Sequence, residues 1–298
     1  MAQDKPVIIG SGLSGMIGSR FTQVYANDFT FMNLDLTTGV DITEAKQVET
    51  ALSKYQNATV IHLAAFTDVS KAFDQNGDKN GSVYKVNVIG TQNIANAAKK
   101  FGHFLIHIST DFVFDGVNPP EGGYTETDTP KPIEWYGQTK LWAEQEVQKS
   151  GANHVIVRTA FPYRAKFAGK LDLIRNMLEK LKTNSLYPMF TDQIITPTFI
   201  DDLSAAFKTI IDKKPNGIFH AVGSSSLSPY EIAQKIASAF EIKADIKSGS
   251  FKDFMVKDSR LRQQYLKISN AKLKQELGVS MKTLDEALKI LKDQGAGV

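Results

Sequence analysis

Short apolar runs alternate along the chain with longer stretches in which apolar positions return every third or fourth residue. Runs at 7–9, 29–34, 59–63, 104–108 and 155–157 predict strands, of which the one at 104–108 reads as buried. The stretches between them, up to residue 25 and then at 43–54, 83–101 and 135–149, predict helices. Strand and helix in strict alternation predict an α/β fold, a Rossmann-type doubly wound parallel sheet with helices on both faces. Beyond residue 160 the pattern shortens. Helices are expected at 171–181, 201–211 and 229–239, with strands around 194–196 and at 217–221. This predicts a larger sheet domain over 1–160 and a smaller, partly interleaved region over 161–298.

The first strand runs into Gly10-Ser-Gly-Leu-Ser-Gly-Met-Ile-Gly18 and then a helix. Two frames fit a dinucleotide turn, Gly10-x-Gly12-x-x-Gly15 and Gly12-x-x-Gly15-x-x-Gly18, of which the second is preferred. Glycines there permit positive φ and close backbone approach. The amides around Ser14, Gly15, Met16, Ile17 and Gly18 can then meet a pyrophosphate at a helix start. Asp35 ends the second strand, a little under the ~20 residues beyond the glycines at which a ribose-binding acid is expected. A carboxylate there would accept from the ribose hydroxyls and repel a 2′-phosphate, which favours NAD over NADP. Asp35 is also readable as an ordinary strand-end acid, and Asp41 lies nearby.

Tyr136 and Lys140 stand one turn apart on the helix predicted at 135–149, so phenol and ammonium share a face. A phenol titrates near ~10, and it serves as an acid/base catalyst near neutrality if its pKa falls by about three, which needs about 4 kcal/mol. One lysine in a wet site rarely supplies that much, so the pair predicts a second positive charge close by, such as an oxidised nicotinamide ring. The strand at 104–108 ends in Ser109, Thr110 and Asp111. Ligands collect outside the carboxyl ends of strands in such sheets, although strand-end hydroxyls also cap backbone groups.

These segments together resemble an extended short-chain dehydrogenase/reductase, and within it the dTDP-4-dehydrorhamnose reductase-like, sugar-nucleotide-binding branch. The matching words are Gly12-Leu-Ser-Gly-Met-Ile-Gly18, Val60-Ile-His-Leu-Ala-Ala65, Asn87-Val-Ile-Gly-Thr91, Ser109-Thr-Asp-Phe-Val-Phe114, Tyr136-Gly-Gln-Thr-Lys140 and Arg158-Thr159, in family order. The resemblance implies that Thr110 holds the reacting sugar oxygen, Tyr136 exchanges a proton with it, and Lys140 binds the nicotinamide ribose and lowers the phenol pKa. It also implies that Asn87 supports the site, Asp41 and Ile42 flank the adenine, and Ala64, Ala65 and Thr67 lie beside ribose and substrate. Phe161 and Pro162 would border the nicotinamide. Asp111 is a candidate substrate contact by its place at the strand end, and for a sugar nucleotide's diphosphate Arg164, Lys166, Lys170, Arg260 and Arg262 are the candidates. Residues 1–160 would then bind NAD or NADP and 161–298 the substrate.

Departures bear on the substrate. Val69-Ser-Lys-Ala-Phe73 lacks the acids common in the reductase branch, Ile195-Thr196 stands where Gly commonly precedes Pro-Thr, and Ile268-Ser269 replaces a Leu-Asp pair. Phe112 after Thr110-Asp111 disfavours the dehydratases, which carry a glutamate there. The expected activity is reduction of a keto group on a nucleotide-activated sugar. The alternatives are an NAD-dependent epimerase and a non-catalytic dinucleotide-binding regulatory subunit.

Composition narrows the partners. A net charge of +3 on 298 residues argues against nucleic acid, and the chain has no cysteine for a disulfide, thiolate catalyst or zinc-thiolate centre. Five dispersed histidines predict no metal site, and the absence of a long apolar run predicts no membrane span. The cytoplasm is the simplest location, and a homodimer is the expectation the family carries. The Gly- and Pro-rich loop at 112–133 reads as a flap over the substrate or a surface excursion.

Overall fold

The apolar runs become strands β1 (Val7–Ser11), β2 (Thr30–Asn33), β3 (Thr59–His62), β4 (Phe104–Thr110) and β5 (Asn153–Thr159), in a computed structural model that describes residues 5–297. With Gly217–His220 they form one six-stranded sheet, ordered β2-β1-β3-β4-β5 and then that last strand. β1 pairs in parallel with β2 and β3, and β3 with β4, in a register that aligns Ile9 with Val60 and Val60 with Leu105. Every residue of β3 and β4 is buried, which is why these runs read as continuous rather than alternating. The strand order reverses at β1 and β3, and in such sheets the crevice beyond the carboxyl ends at this switch point is the ligand site.

The chain divides into two units. The first comprises the chain up to Val113, Pro132–Arg158 and Phe207–Phe219; the second comprises Phe114–Lys131, Thr159–Ala206 and the chain from His220 onward.

In the first unit, Val48, Leu52, Ile94 and Ala98 of the flanking helices pack on Ile9, Val60, Leu105 and Ile156 of the sheet. Burying each such large aliphatic side chain stabilises the fold by about 1.5–3 kcal/mol. The expected helix at 83–101 is broken into three: an α-turn at Ser82–Tyr84, a π-helical stretch at Lys85–Gly90, and an α-helix at Thr91–Lys100. A π-turn adds one residue to the turn and re-aims its side chains, and here it carries Asn87. Gly90 permits Ile42 to press on this stretch, since a Cβ there would lie 2.7 Å from Ile42 Cδ1.

In the second unit, helices Leu173–Lys182, Pro229–Ala239 and Leu284–Asp293 share a core built from Ile174, Met177, Leu181, Ile232, Ile236 and Leu288. The strand expected at 194–196 does not form. Ile194 and Ile195 make single bridges to Tyr265 and Leu227, and Pro197, with no N–H to donate, stops a ladder from continuing. From Phe114 onward the loop read as a flap or a surface excursion is pinned within this unit. Phe114 stacks on Tyr124 at 4.4 Å, Tyr124 N–H donates to Lys267 O at 2.8 Å, and Tyr265 N–H to Gly116 O at 2.8 Å. Among the described residues no helix is long and apolar enough to cross a membrane.

Candidate active site

Gly12 leaves β1 with φ of 79°, and a Cβ on it would lie 2.7 Å from the backbone nitrogen of Ala64. Glycine is therefore required here both by conformation and by the close approach of the 63–65 segment. Gly18 is held as closely, because a Cβ would come within 2.5 Å of Leu13 Cα. Gly15 begins the helix Met16–Val24 with no side-chain cap, so this helix start turns backbone N–H groups and the positive dipole end toward the loop. Asp35 ties the loop to β2: its carboxylate accepts from Gly12 N at 2.5 Å, Asn33 Nδ2 at 2.8 Å, and the Ser14 hydroxyl. Burial alone would raise its pKa, but the hydrogen bonds from Ser14, Asn33 and Gly12 outweigh it and hold the carboxyl below its ordinary value. Asp41 accepts from the Thr43 amide and hydroxyl at 2.9 and 2.8 Å, and the Ile42 side chain is buried in the core. Ala64 and Ala65 are half-buried beside the glycine loop, and Thr67 is exposed.

A chain of hydrogen bonds links this edge of the sheet to the Tyr136 helix. Asn87 Oδ1 accepts from Phe66 N at 2.7 Å, its Nδ2 donates to Thr139 Oγ1 at 3.0 Å, and Thr139 donates to Tyr136 O at 2.8 Å. His62 bridges Ser11 Oγ at 2.6 Å and Thr91 Oγ1 at 2.9 Å. Thr91 spends its proton on Asn87 O at 2.7 Å, so His62 Nε2 is the donor to Thr91 and Nδ1 the acceptor from Ser11. Burial, and then the Lys140 charge, push His62 down to about 3, which keeps this ring neutral.

The helix Trp135–Ser150 starts on the carboxylate of Glu134, which accepts from Tyr136 N at 2.8 Å and Gly137 N at 2.6 Å. Gly137 packs on the turn Asp111–Val113 so closely that a Cβ would sit 2.2 Å from Phe112 O. The half-buried Tyr136 is set edge-on to the Phe112 ring, with centroids 5.9 Å apart. Its phenol is pushed above its ordinary value. Burial is the main cause, Glu134 and Asp111 add to it, and a hydrogen bond with Thr110 opposes it. Asp111, 2% exposed, is pushed up to about 7 by burial, and Glu134 also to about 7 by burial.

Lys140 is 3% exposed and donates to Ile108 O at 2.8 Å. Burial pushes it down to about 8, against the opposing attraction of Glu144. The charges that bear on the phenol are thus the two carboxyls, while the ammonium is directed at the strand. Thr110 and Tyr136 are brought into contact, and Lys140 projects from the same helix one turn on.

Sequence reasoning missed the carboxyl cap at Glu134, whose only signal is an acid two residues before Tyr136. It also missed the fully buried cluster in which Glu144 accepts from Arg158 Nε at 2.9 Å, Arg158 Nη2 at 2.7 Å and Ser109 Oγ at 2.5 Å. A matching acid and base both inside apolar segments was the available clue.

Phe161 and Arg262 belong to the second unit. Phe161 holds φ of 40°, a left-handed conformation costly for a bulky residue, and its carbonyl accepts from Thr198 N at 3.2 Å. Arg262 donates to Asp258 at 3.1 Å and lies over the Phe254 ring at 5.6 Å. Arg260 shares Asp258 at 2.9 Å.

A family model described as RmlD substrate binding domain matches residues 7–295. A probable low-salt glycan biosynthesis reductase, Agl14, of Haloferax volcanii is 32% identical over 257 residues, 85% of this chain and 82% of that protein. Methionine adenosyltransferase 2 subunit beta of Rattus norvegicus is 30% identical over 209 residues, 68% of this chain and 60% of that protein. The crystal structure of dTDP-4-dehydrorhamnose reductase from Bacillus anthracis in complex with NADP is similar with a TM-score of 0.88 and 28% identity, covering 97% of this chain and 99% of that one.

Proposed function

The chain belongs to the RmlD substrate binding domain family, and from that premise we propose that it is an NAD(P)-dependent oxidoreductase of the short-chain type. It reduces a keto group on a nucleotide-activated sugar, as the dTDP-4-dehydrorhamnose reductases do. The observation that carries this reading is the Tyr136 phenol, kept protonated beside the Thr110 hydroxyl on a helix braced through Asn87 to the 64–67 segment. A reduction must end with a proton on the new alkoxide, and a phenol that resists ionisation is available to give one.

The glycine loop fits a dinucleotide. Gly12 and Gly18 leave no room for side chains, and the uncapped helix start at Gly15 suits a pyrophosphate held by Ser14, Met16 and Ile17 amides. When bound, the nicotinamide supplies the hydride. Tyr136 gives its O–H proton to the carbonyl oxygen while Thr110 fixes that oxygen by a hydrogen bond. Lys140 holds the nicotinamide ribose, Ala64 and Ala65 border it, and Asp41 and Ile42 flank the adenine. Thr67 and Asp111 contact substrate. Asp35 supports NADH over NADPH, because its charge opposes a 2′-phosphate and Asn33-Leu-Asp-Leu-Thr-Thr38 offers no basic side chain to receive one.

Tyr136→Phe tests the assignment. It should lower kcat by about 10²–10⁴-fold on the responsive nucleotide-sugar and leave cofactor affinity within about twofold. A wild-type rate in the Phe variant would refute it. The rat relative favours a second reading, a dinucleotide-binding subunit that steers another enzyme. Cofactor oxidation across a panel of nucleotide-sugars separates the two: turnover by the isolated chain supports the enzyme, whereas tight NAD binding without turnover and a stoichiometric partner support the subunit.

A further inference from the structure

The Thr110 hydroxyl touches two acids. It donates to Asp111 Oδ1 at 3.1 Å, and it is the hydrogen-bond partner of the Tyr136 phenol. The other carboxyl oxygen, Asp111 Oδ2, is buried with no hydrogen-bond partner. An ionised carboxylate with an unsatisfied oxygen in a dry setting is costly, and taking up a proton removes that cost. Burial is the largest influence and raises the carboxyl; the Thr110 hydroxyl and the Asp111 and Phe112 amides temper that rise, and the Glu134 charge at the helix start adds the smallest contribution to it. When the carboxyl is protonated, its bond to Thr110 reverses and the acid becomes the donor.

We propose that Asp111 is the proton reservoir of this site and reloads Tyr136 through the Thr110 hydroxyl after each turnover. The inference rests on Tyr136 being the proton donor. Once Tyr136 is a phenolate, the Thr110 O–H breaks as the phenol O–H re-forms, and the Asp111 O–H breaks as the Thr110 O–H re-forms. Asp111 is left as a carboxylate and regains its proton from hydronium in the solvent; no electrons change hands. Transfer runs downhill, since the carboxyl is the stronger acid of the two. The reservoir empties as pH rises through about 7, so kcat should decline there.

Asp111→Asn and Glu134→Gln in the full chain provide the test. Infrared difference spectra taken on either side of pH about 7 need no substrate: wild type should show protonated-carboxyl stretches from both Asp111 and Glu134, of which D111N keeps only the Glu134 band and E134Q only the Asp111 band. In transient kinetics at saturating substrate, the later turnovers of D111N should run about tenfold or more slower than its own first turnover, a gap that wild type does not show. Its kcat should lose the decline above neutrality. E134Q should keep that decline, moved to lower pH because a like charge has gone. A D111N protein that retains every carboxyl band, matches wild-type kcat, or loses first and later turnovers equally would overturn the relay alone. A wild type that transfers no hydride on any nucleotide-sugar would overturn the relay together with the oxidoreductase reading.

Discussion

The helix Trp135–Ser150 carries two buried polar regions of opposite character. Around Glu144 the groups are matched: both carboxylate oxygens are taken by Arg158, and Ser109 adds a third bond. Near the helix start the groups are left short. Asp111 Oδ2 has no partner, Lys140 has one bond to a carbonyl, and neither ring nitrogen of the buried His107 is hydrogen-bonded. The first region can only hold β4, β5 and the helix together. In the second, incomplete pairing moves acid strengths toward neutrality, which is what proton transfer requires.

Breaking the matched region should have the largest effect. Glu144→Ala strands the Arg158 guanidinium in the core and should cost about 3–5 kcal/mol, read as a lower denaturant midpoint at unchanged slope. A loss below about 1 kcal/mol would erase the contrast.

Lys140→Met should act in the opposite direction, stabilising the protein by about 3 kcal/mol at neutral pH while abolishing turnover. Lys140 has a folded pKa of about 8 against an ordinary 10.5, so the penalty for its buried charge is complete below about 8. Between these values the unfolded chain binds more protons, and wild-type stability should climb with pH toward that of the variant. Denaturation at several pH values checks the sign, and a constant gap would contradict the buried charge.

Smaller effects should follow from Asn87→Ala, at about 1–3 kcal/mol, because the Phe66 amide and Thr139 lose their partner. Turnover should fall more than the melting temperature implies, since the brace to Tyr136 goes with it. Asp35 is a satisfied acid at the cofactor end, and Asp35→Asn removes the charge while setting an NH2 against one of the N–H groups that now donate to the carboxylate. Stability should fall by about 1 kcal/mol, and the NADPH-to-NADH ratio of kcat/KM should rise about tenfold. An unchanged ratio would deny Asp35 a part in cofactor choice.

Local patterns made much of this legible. The inner strands β3 and β4 are runs of buried residues, whereas the edge strand β2 carries none; the glycines at 12, 15 and 18 mark a tight strand-to-helix turn, and Tyr136 and Lys140 share a helix face by spacing alone. What escaped depends on partners distant in sequence or on atomic direction. The π-stretch at Lys85–Gly90 keeps a helical pattern and differs only in hydrogen bonding. Glu134 is a less usual cap than Ser, Thr, Asp or Asn, so its type does not announce the role. Ile194-Ile195 has the composition of a strand but finds only isolated bridges. The loop after Val113 looked unattached because its partners, residues 265–269, lie far along the chain.

Gly137 has a consequence for how this chain can change. Any larger residue there must lever the start of the helix off Phe112 O, and Tyr136 sits on that first turn. Such a replacement would widen the gap between the phenol and Thr110 while leaving the sheet and the Glu144 cluster in place. The result would be a well-folded protein with a mis-set acid, so one hydrogen atom acts as the spacer that calibrates the site.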